Sequence, residues 1–540
     1  MSRLLERTLN RFTGLLEYQP TYPFAAPTWV YLVGAILIQQ LATRWYRYYK
    51  SWVNVPVVGG HGIIGSWIAA FRWTARARSL VNEGYQKHGD FAFQVSTPTR
   101  WEVFICNDEM VREYRNFTDE RFSANALFEA KYTVPGAAEG VHKVPVPIVA
   151  KALTWQRTRA ATKTDPYFEE FVKELQHAFD AETKFENEDW NDLCCFATGT
   201  RIVAHLTAKS LVGYPLSRDT ELIDLFAEYG NAVPTSGFFI AMFPQILKPF
   251  AAKFCSAPKI SARLDRIVMD ELRKREANPR SEPQVQDITD WITFWSRTYP
   301  GTYTDQDIAR SVVSAVFGAI HTTTQVLVHC LMDLAIRPEY IHPLREEVET
   351  ILNRDNQQWT KEGLESMEKL DSFVKECQRF NPLDAVRSDQ ALSFLLGSLA
   401  RRATKDFTFS NGLHIPEGTF VFTPNSPVLF DEKHYPDAQQ FDGYRFYRLG
   451  RVTGRPLEYK FIAANPKYLQ FGDGRHICPG RFMAADEIRL LLAHILVNYD
   501  IRPKDDGERP PNWTFKKILF PDMKGMVQLK RRSINTSQPN

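Results

Sequence analysis

One long helical pattern sets the scale of whatever this chain folds into. It begins at "TDQD", Thr304 to Asp307, which has the form of a capping box with Asp at the third helical position. Apolar residues recur from there to Ile336, and Pro338 ends the pattern. About 30 helical residues extend about 45 Å, so this helix crosses a whole domain and the other elements must pack around it. In its middle lies "FGAIHTTTQ", Phe317 to Gln325. Gly318 is a poor helix former, and three consecutive threonines are unusual inside a buried helix. Their hydroxyls can bond back to the carbonyl four residues earlier and bend the helix. Two readings fit: a polar stripe against another helix, or a helix opened locally beside a reaction centre.

Helical periodicity dominates elsewhere, and strand-like runs are short. "FAFQVS" (Phe91 to Ser96) and "WEVFIC" (Trp101 to Cys106) predict a hairpin, and "GTFVFTP" (Gly418 to Pro424) predicts another strand. The expected class is mainly α with a small β component. At 540 residues, 44% hydrophobic and 24% charged, the chain has material for a large core in one enzyme-sized unit. A net charge of +3 gives no dense basic face, which excludes a nucleic-acid partner. The seven cysteines are scattered without a CxxC pair, so zinc-ribbon and dithiol redox readings lose their support.

The N-terminus predicts a membrane anchor. After a tail over 1–23, residues 24–42 read "FAAPTWVYLVGAILIQQLA", free of formal charge and about long enough to cross a bilayer core. Trp45, Tyr46, Tyr48 and Tyr49 follow with Arg44, Arg47 and Lys50, as at a membrane interface. A basic, Pro/Gly-containing linker over 43–60 then leads into a domain expected over 61–540.

Chemistry concentrates in "FGDGRHICPGRF", Phe471 to Phe482. A thiolate that ligates a metal needs N–H donors and nearby positive charge. Gly472, Gly474 and Gly480 permit tight turns that aim amides at the sulfur of Cys478. Phe471 is placed to shield that sulfur, and Arg475 and His476 to hold an anionic partner. "EIRLLLAHIL" from Glu487 continues as a helix with apolar residues at helical spacing. Two further patterns stand upstream. In "KECQRFNP" (Lys375 to Pro382), Glu376 and Arg379 share a helix face, a spacing that by itself describes a solvated surface pair. "FDGYRF" (Phe441 to Phe446) is an aromatic turn carrying Arg445.

Together these motifs resemble the cytochrome P450 family, and "HTTT" with "FGDGRHICPGR" is similar to fungal microsomal members of secondary metabolism. Phe471, Gly474, His476, Cys478 and Gly480 match the haem-binding loop; Glu376 and Arg379 match the ExxR pair. Phe441 to Phe446 matches the turn whose Arg445 completes a three-way network, and Gly318 to Thr323 matches the oxygen groove. The resemblance runs from about Pro56 to the C-terminus. It implies the cytochrome P450 fold with an N-terminal transmembrane helix, and haem b with Cys478 as axial thiolate. It also implies Thr322 as the distal threonine, and His476, Arg475 and Arg159 near the haem propionates. The implied activity inserts one oxygen atom from O2 into a hydrophobic terpenoid, meroterpenoid or alkaloid scaffold. The implied partner is an NADPH-cytochrome P450 reductase, docked with help from Arg475 and Arg481. The implied location is the endoplasmic reticulum membrane, single-pass, with a cytosolic catalytic domain. The alternatives are a haem-thiolate isomerase or dehydratase working without reductase, and a haem-binding protein without catalysis.

Several residues depart from the family pattern. His321 stands where an acid usually precedes the threonine, implying a proton relay whose charge switches near neutral pH. Trp155 and Arg159 match a Trp-x-x-x-Arg pair only loosely, with Arg157 as a competitor. Gly443 replaces a frequent proline. Leu383 to Ser398 is longer than the family usually allows, which implies either a true insertion or an error in the reading frame; if it distorts the pocket-lining strand expected there, substrate binding suffers first. The same analogy puts the segment after Phe122, the Phe238 to Phe243 run, Val313, Phe317 and Leu519 to Pro521 around a pocket for a polycyclic substrate.

Overall fold

The architecture was analysed in a computed structural model. The structure describes residues 51–533 apart from 98–99, 125, 127–148, 150, 154–166, 186–187, 242, 244–246, 278–286, 299–302, 384–398, 505–506 and 516–517. It also describes Tyr31, Gly34, Ile38, Gln39, Leu41, Ala42, Trp45, Tyr46 and Lys50, each of them helical. Most of 24–42 therefore lies outside the described residues. Where the segment is described, Tyr31, Ile38 and Leu41 are exposed.

Among the described residues, the long helices around the site are α1 (Gly62–His88), α2 (Tyr167–Thr183), α3 (Cys195–Leu211), α4 (Thr220–Ala241), α5 (Ala257–Ala277), α6 (Asp305–Ala335), α7 (Ile341–Arg354), α8 (Glu368–Phe380) and α9 (Arg481–Asn498). The expected long helix is α6. Its capping box is formed: Thr304 Oγ1 accepts from the Asp307 N–H, and Asp307 Oδ2 accepts from the Thr304 N–H at 3.0 Å. α6 packs against α3, α4, α5, α8 and α9 and is buried along most of its length. It is also the described helix apolar and long enough to cross a membrane, but its burial makes it the core of the domain.

The small β component is present. A six-stranded sheet runs β1 (Val57–Val58), β2 (Ala92–Ser96), β3 (Trp101–Ile105), β9 (Phe420–Phe422), β6 (Arg401–Ala403) and β4 (Phe122–Ser123). The expected hairpin is β2–β3, with Phe93 opposite Phe104; β9 joins it in parallel, with Val103 opposite Val421. Phe93, Phe104 and Phe422 form a ladder of rings across three strands, 5.0 and 5.5 Å apart. They pack with Trp73 and Leu80 of α1, while alternate residues Val103, Ile105 and Val421 pack on the other face. Coverage of both faces explains why every residue of β2 and β3 is buried. A second sheet orders β10 (Tyr499–Pro503), β13 (Met526–Arg531) and β5 (Asn191–Cys194). Two small hairpins, β7 (Phe407–Thr408) with β8 (His414–Ile415) and β11 (Trp513–Phe515) with β12 (Ile518–Phe520), complete the set.

Candidate active site

The loop around Cys478 closes by local backbone chemistry. The Cys478 N–H donates to the Phe471 carbonyl at 2.7 Å, bringing the two ends of the loop together. Gly474 has φ +67°, and a Cβ there would lie 2.4 Å from the Arg115 carbonyl oxygen, so glycine is required. Asp473 holds the same corner, accepting from Arg115 at 2.8 Å and from the Gly474 N–H. Gly480 then caps α9. Burial pushes the Cys478 thiol above its ordinary value, while the Gly480 and Arg481 N–H groups and the Arg481 charge pull it down. Those N–H groups belong to the unsatisfied first turn of a helix, where an anionic sulfur is favoured. Phe471 is half-buried, its ring edge-on to Phe461 at 5.1 Å.

Two stretches of the chain are half-buried in a pattern that stands out. Residues 471–472 and 476–484 are half-buried as a block. Along α6, Ser314, Ala315, Gly318, Ala319 and Thr322 are half-buried within an otherwise buried helix, at the spacing of one face. A Cβ added at Gly318 or at Gly480 would meet nothing within 4 Å. The open space at Gly480, beside Cys478, leaves room for a group ligated through sulfur, and a coordinated metal would itself hold the thiol deprotonated.

Thr322 behaves as its sequence context predicts: Oγ1 donates to the Gly318 carbonyl at 2.8 Å, and α6 remains helical through the groove. The charge switch expected for His321 does not hold. Its ring lies against α4, where a Cβ on Gly230 would sit 2.3 Å from Nε2. Burial lowers its pKa to about 4, so the ring is neutral at physiological pH. The unfolded ring takes up a proton near 6.5 and the folded ring only near 4, so its contribution to stability is complete above 6.5 and lost as pH falls toward 4. His321→Gln is therefore expected to flatten the acid limb of thermal unfolding between those pH values and to leave the neutral limb unchanged. An unaltered acid limb would show that His321 does not titrate this way.

Glu376 and Arg379 are both 0% exposed, so they are not the solvated pair that their spacing alone describes. Arg379 grips the Glu376 carboxylate through two nitrogens at 2.8 Å, and Arg445 Nε reaches both its oxygens at 3.2 Å. The remaining guanidinium donors hold the chain between α8 and Arg445: Arg379 donates to the Leu429 and Ala438 carbonyls, and Arg445 to those of Pro436, Asp437 and Gln440. Gly443 also finds its reason here. Its N–H donates to the Tyr340 hydroxyl at 3.1 Å, a bond proline would lose, and a Cβ would lie 2.6 Å from the Tyr340 ring.

Among the residues expected to hold an anion, Arg475 is exposed and His476 is half-buried. Burial and the charge of Arg401 keep His476 below its ordinary pKa; among the described residues its Nε2 has no hydrogen-bond partner and lies 3.7 Å from Asp119 Oδ1. Sequence reasoning missed Arg401. This guanidinium is 8% exposed and donates to the Ala400 carbonyl, in the electrostatic range of Tyr114, Asp119 and His476. The signal for it was only "ARR" after a long irregular stretch. Trp155, Arg157 and Arg159 lie outside the described residues, as does 384–398, bracketed by buried Leu383 and Leu399.

On the substrate side, Val313 and Phe317 are buried on α6, and Phe317 meets Tyr229 of α4 at 6.4 Å. Phe239 and Phe243 are half-buried and meet at 5.1 Å. Phe122 is core, packed with Tyr114, Phe117 and Phe407, and residues 127–148 beyond it lie outside the described residues.

Comparison with known proteins agrees with this site. The family model described as "Cytochrome P450" matches residues 64–529. Cytochrome P450 monooxygenase atmQ of Aspergillus flavus is 96% identical over 540 residues, covering 100% of both chains. Cytochrome P450 monooxygenase janQ of Penicillium janthinellum is 59% identical over 507 residues, 93% of this chain and 98% of its own. Cytochrome P450 monooxygenase ltmQ of Epichloe festucae var. lolii is 38% identical over 527 residues, 93% of this chain and 96% of its own. The chain belongs to the cytochrome P450 family, whose cofactor is haem with an axial cysteine thiolate, and is a monooxygenase of that family.

Proposed function

We propose that this monooxygenase oxidises a bulky hydrophobic substrate in fungal secondary metabolism, a terpenoid, meroterpenoid or alkaloid scaffold, with electrons from a separate NADPH-cytochrome P450 reductase. The observation that carries the haem assignment is Cys478 set among the first amides of α9 and the charge of Arg481. When bound, haem supplies the activation of O2, one atom of which enters the substrate while the other leaves as water. The chain's residues do the rest. Cys478 binds through its sulfur, and the Gly480 and Arg481 N–H groups favour the anionic form. Phe471 excludes water from that side. Arg475, His476, Arg401 and Arg159 are assigned to the carboxylates of the cofactor. Thr322 holds a proton at Oγ1 on the half-buried face of α6. His321 braces α6 against α4 and, being neutral and turned to Gly230, carries no charge-switching relay. Glu376, Arg379 and Arg445 fix the segment that precedes the cysteine loop.

Apolar Val313, Phe317, Phe239 and Phe243 support a hydrophobic substrate. Exposed Tyr31, Ile38 and Leu41 on helical residues support a single-pass anchor in the endoplasmic reticulum membrane, with the domain on the cytosolic side. The test is turnover of a panel of polycyclic terpenoids by expressed microsomes, with NADPH and reductase supplied or withheld. Oxygenated product only when both are present is the expected result. Product without reductase would favour an isomerase or dehydratase. Stoichiometric haem with no turnover would favour a binding protein.

A further inference from the structure

The helix that carries Glu376 also carries buried groups that reach toward the cysteine loop. Asp371 and Lys375 of α8 are four apart and share a face. Asp371 Oδ2 accepts from the Phe461 N–H at 2.7 Å, and Lys375 Nζ donates to the Lys460 carbonyl at 2.9 Å. Two adjacent backbone positions are thus held by one helix face. Lys375 Nζ also lies over the rings of Phe446, at 4.7 Å, and Tyr468, at 4.4 Å. The second oxygen of Asp371 accepts from Arg489 Nη1 of α9 at 3.2 Å. Arg489 is in turn fixed by Asp486 at 3.0 Å and by the Ala485 carbonyl at 3.2 Å. Asp371, 4% exposed, therefore grips both the chain before the cysteine loop and the helix after it.

Phe461 connects this grip to the sulfur. Its fully buried ring meets Phe471 edge-on at 5.1 Å, and the Phe471 carbonyl accepts the Cys478 N–H at 2.7 Å. One side-chain hydrogen bond, one ring contact and one backbone hydrogen bond separate Asp371 from Cys478. Burying a carboxylate with Arg489 carries a desolvation cost that well-packed apolar residues would avoid. What the carboxylate supplies is two acceptors at fixed directions, one for each flank of the loop.

We propose that Asp371 is a positioning residue for Cys478, holding Phe461 and the first turns of α9 so that the sulfur stays among its amide donors. This deepens the haem-ligand reading and rests on it. The test uses full-length haem-loaded protein bearing Asp371→Ala, Asp371→Asn or Phe461→Leu. Val203→Ala, a cavity variant at a buried α3 position, serves as control. The readout is the rate at which the thiolate-type Soret band of the reduced, carbon-monoxide-bound form converts to the inactive type, set beside thermal unfolding of each variant. Asp371→Ala and Phe461→Leu are expected to accelerate conversion by about tenfold or more, the range seen when the outer partners of a metal ligand are removed. Asp371→Asn keeps an acceptor for Phe461 and is expected to lie between. Val203→Ala should lose stability without faster conversion. If Phe461→Leu and Asp371→Asn convert at the wild-type rate, or Val203→Ala converts as fast as they do, the positioning role is wrong. A wild-type protein with no thiolate-type band would instead overturn the assignment of Cys478.

Discussion

Cys478→Ala is expected to abolish the thiolate-type Soret band completely while leaving the far-ultraviolet circular dichroism of a helical protein. The sulfur's amide donors, Gly480 and Arg481, are its near neighbours in sequence, whereas closure of the loop runs through the backbone N–H of Cys478 to Phe471 and through Asp473 to Arg115. Removing the sulfur therefore removes the ligand without removing the loop. Cys478→His offers a nitrogen at the same place and should bind haem with a nitrogen-type spectrum, since the ligand decides the electronic character of the iron. Persistence of the thiolate-type band in either variant would put the ligand elsewhere. Cys377 and Cys330 are poor candidates for that place, because both are fully buried between α6 and α8.

The second large effect is on stability. Arg379→Ala leaves Glu376 buried with one cation instead of two and strands the carbonyls of Leu429 and Ala438. Breaking a buried pair from one side costs about 3–5 kcal/mol, a large share of the roughly 5–15 kcal/mol that holds a typical domain folded. Arg379→Lys is expected to rescue little, because an ammonium cannot repeat the two-nitrogen grip and reach two carbonyls as well. Thermal unfolding and the yield of haem-loaded protein would check both. A folded, haem-loaded Arg379→Ala protein with an unchanged midpoint would show the network to be dispensable.

Much of the site was legible because its parts are local. The glycines, cysteine and helix start of 471–482 act within one short loop, so spacing carried the meaning. The capping box at Thr304 and the Thr322 back-bond likewise involve residues three or four apart. What stayed illegible depends on distant partners. Whether Glu376 and Arg379 meet solvent is decided by Arg445 and by carbonyls between Leu429 and Gln440. His321 is neutral because it is buried against α4, where Gly230, ninety-one residues earlier, leaves room for its ring. Arg401 is buried by a sheet whose neighbouring strands come from Phe122 and Phe420. Asp371 sits in an ordinary helical pattern, and nothing near it in sequence announces Phe461 or Arg489.

The strand order has a consequence for synthesis. β5, at Asn191–Cys194, finds its partner only in β13, at Met526–Arg531, and β3 gains its outer neighbour only when β9 at Phe420–Phe422 has been made. Through most of translation the emerging chain thus carries strand edges with open backbone groups, the kind of surface that pairs with other chains. β13 closes the second sheet long after β5 has been made. Until β13 emerges, the edge of β5 stays open to other chains.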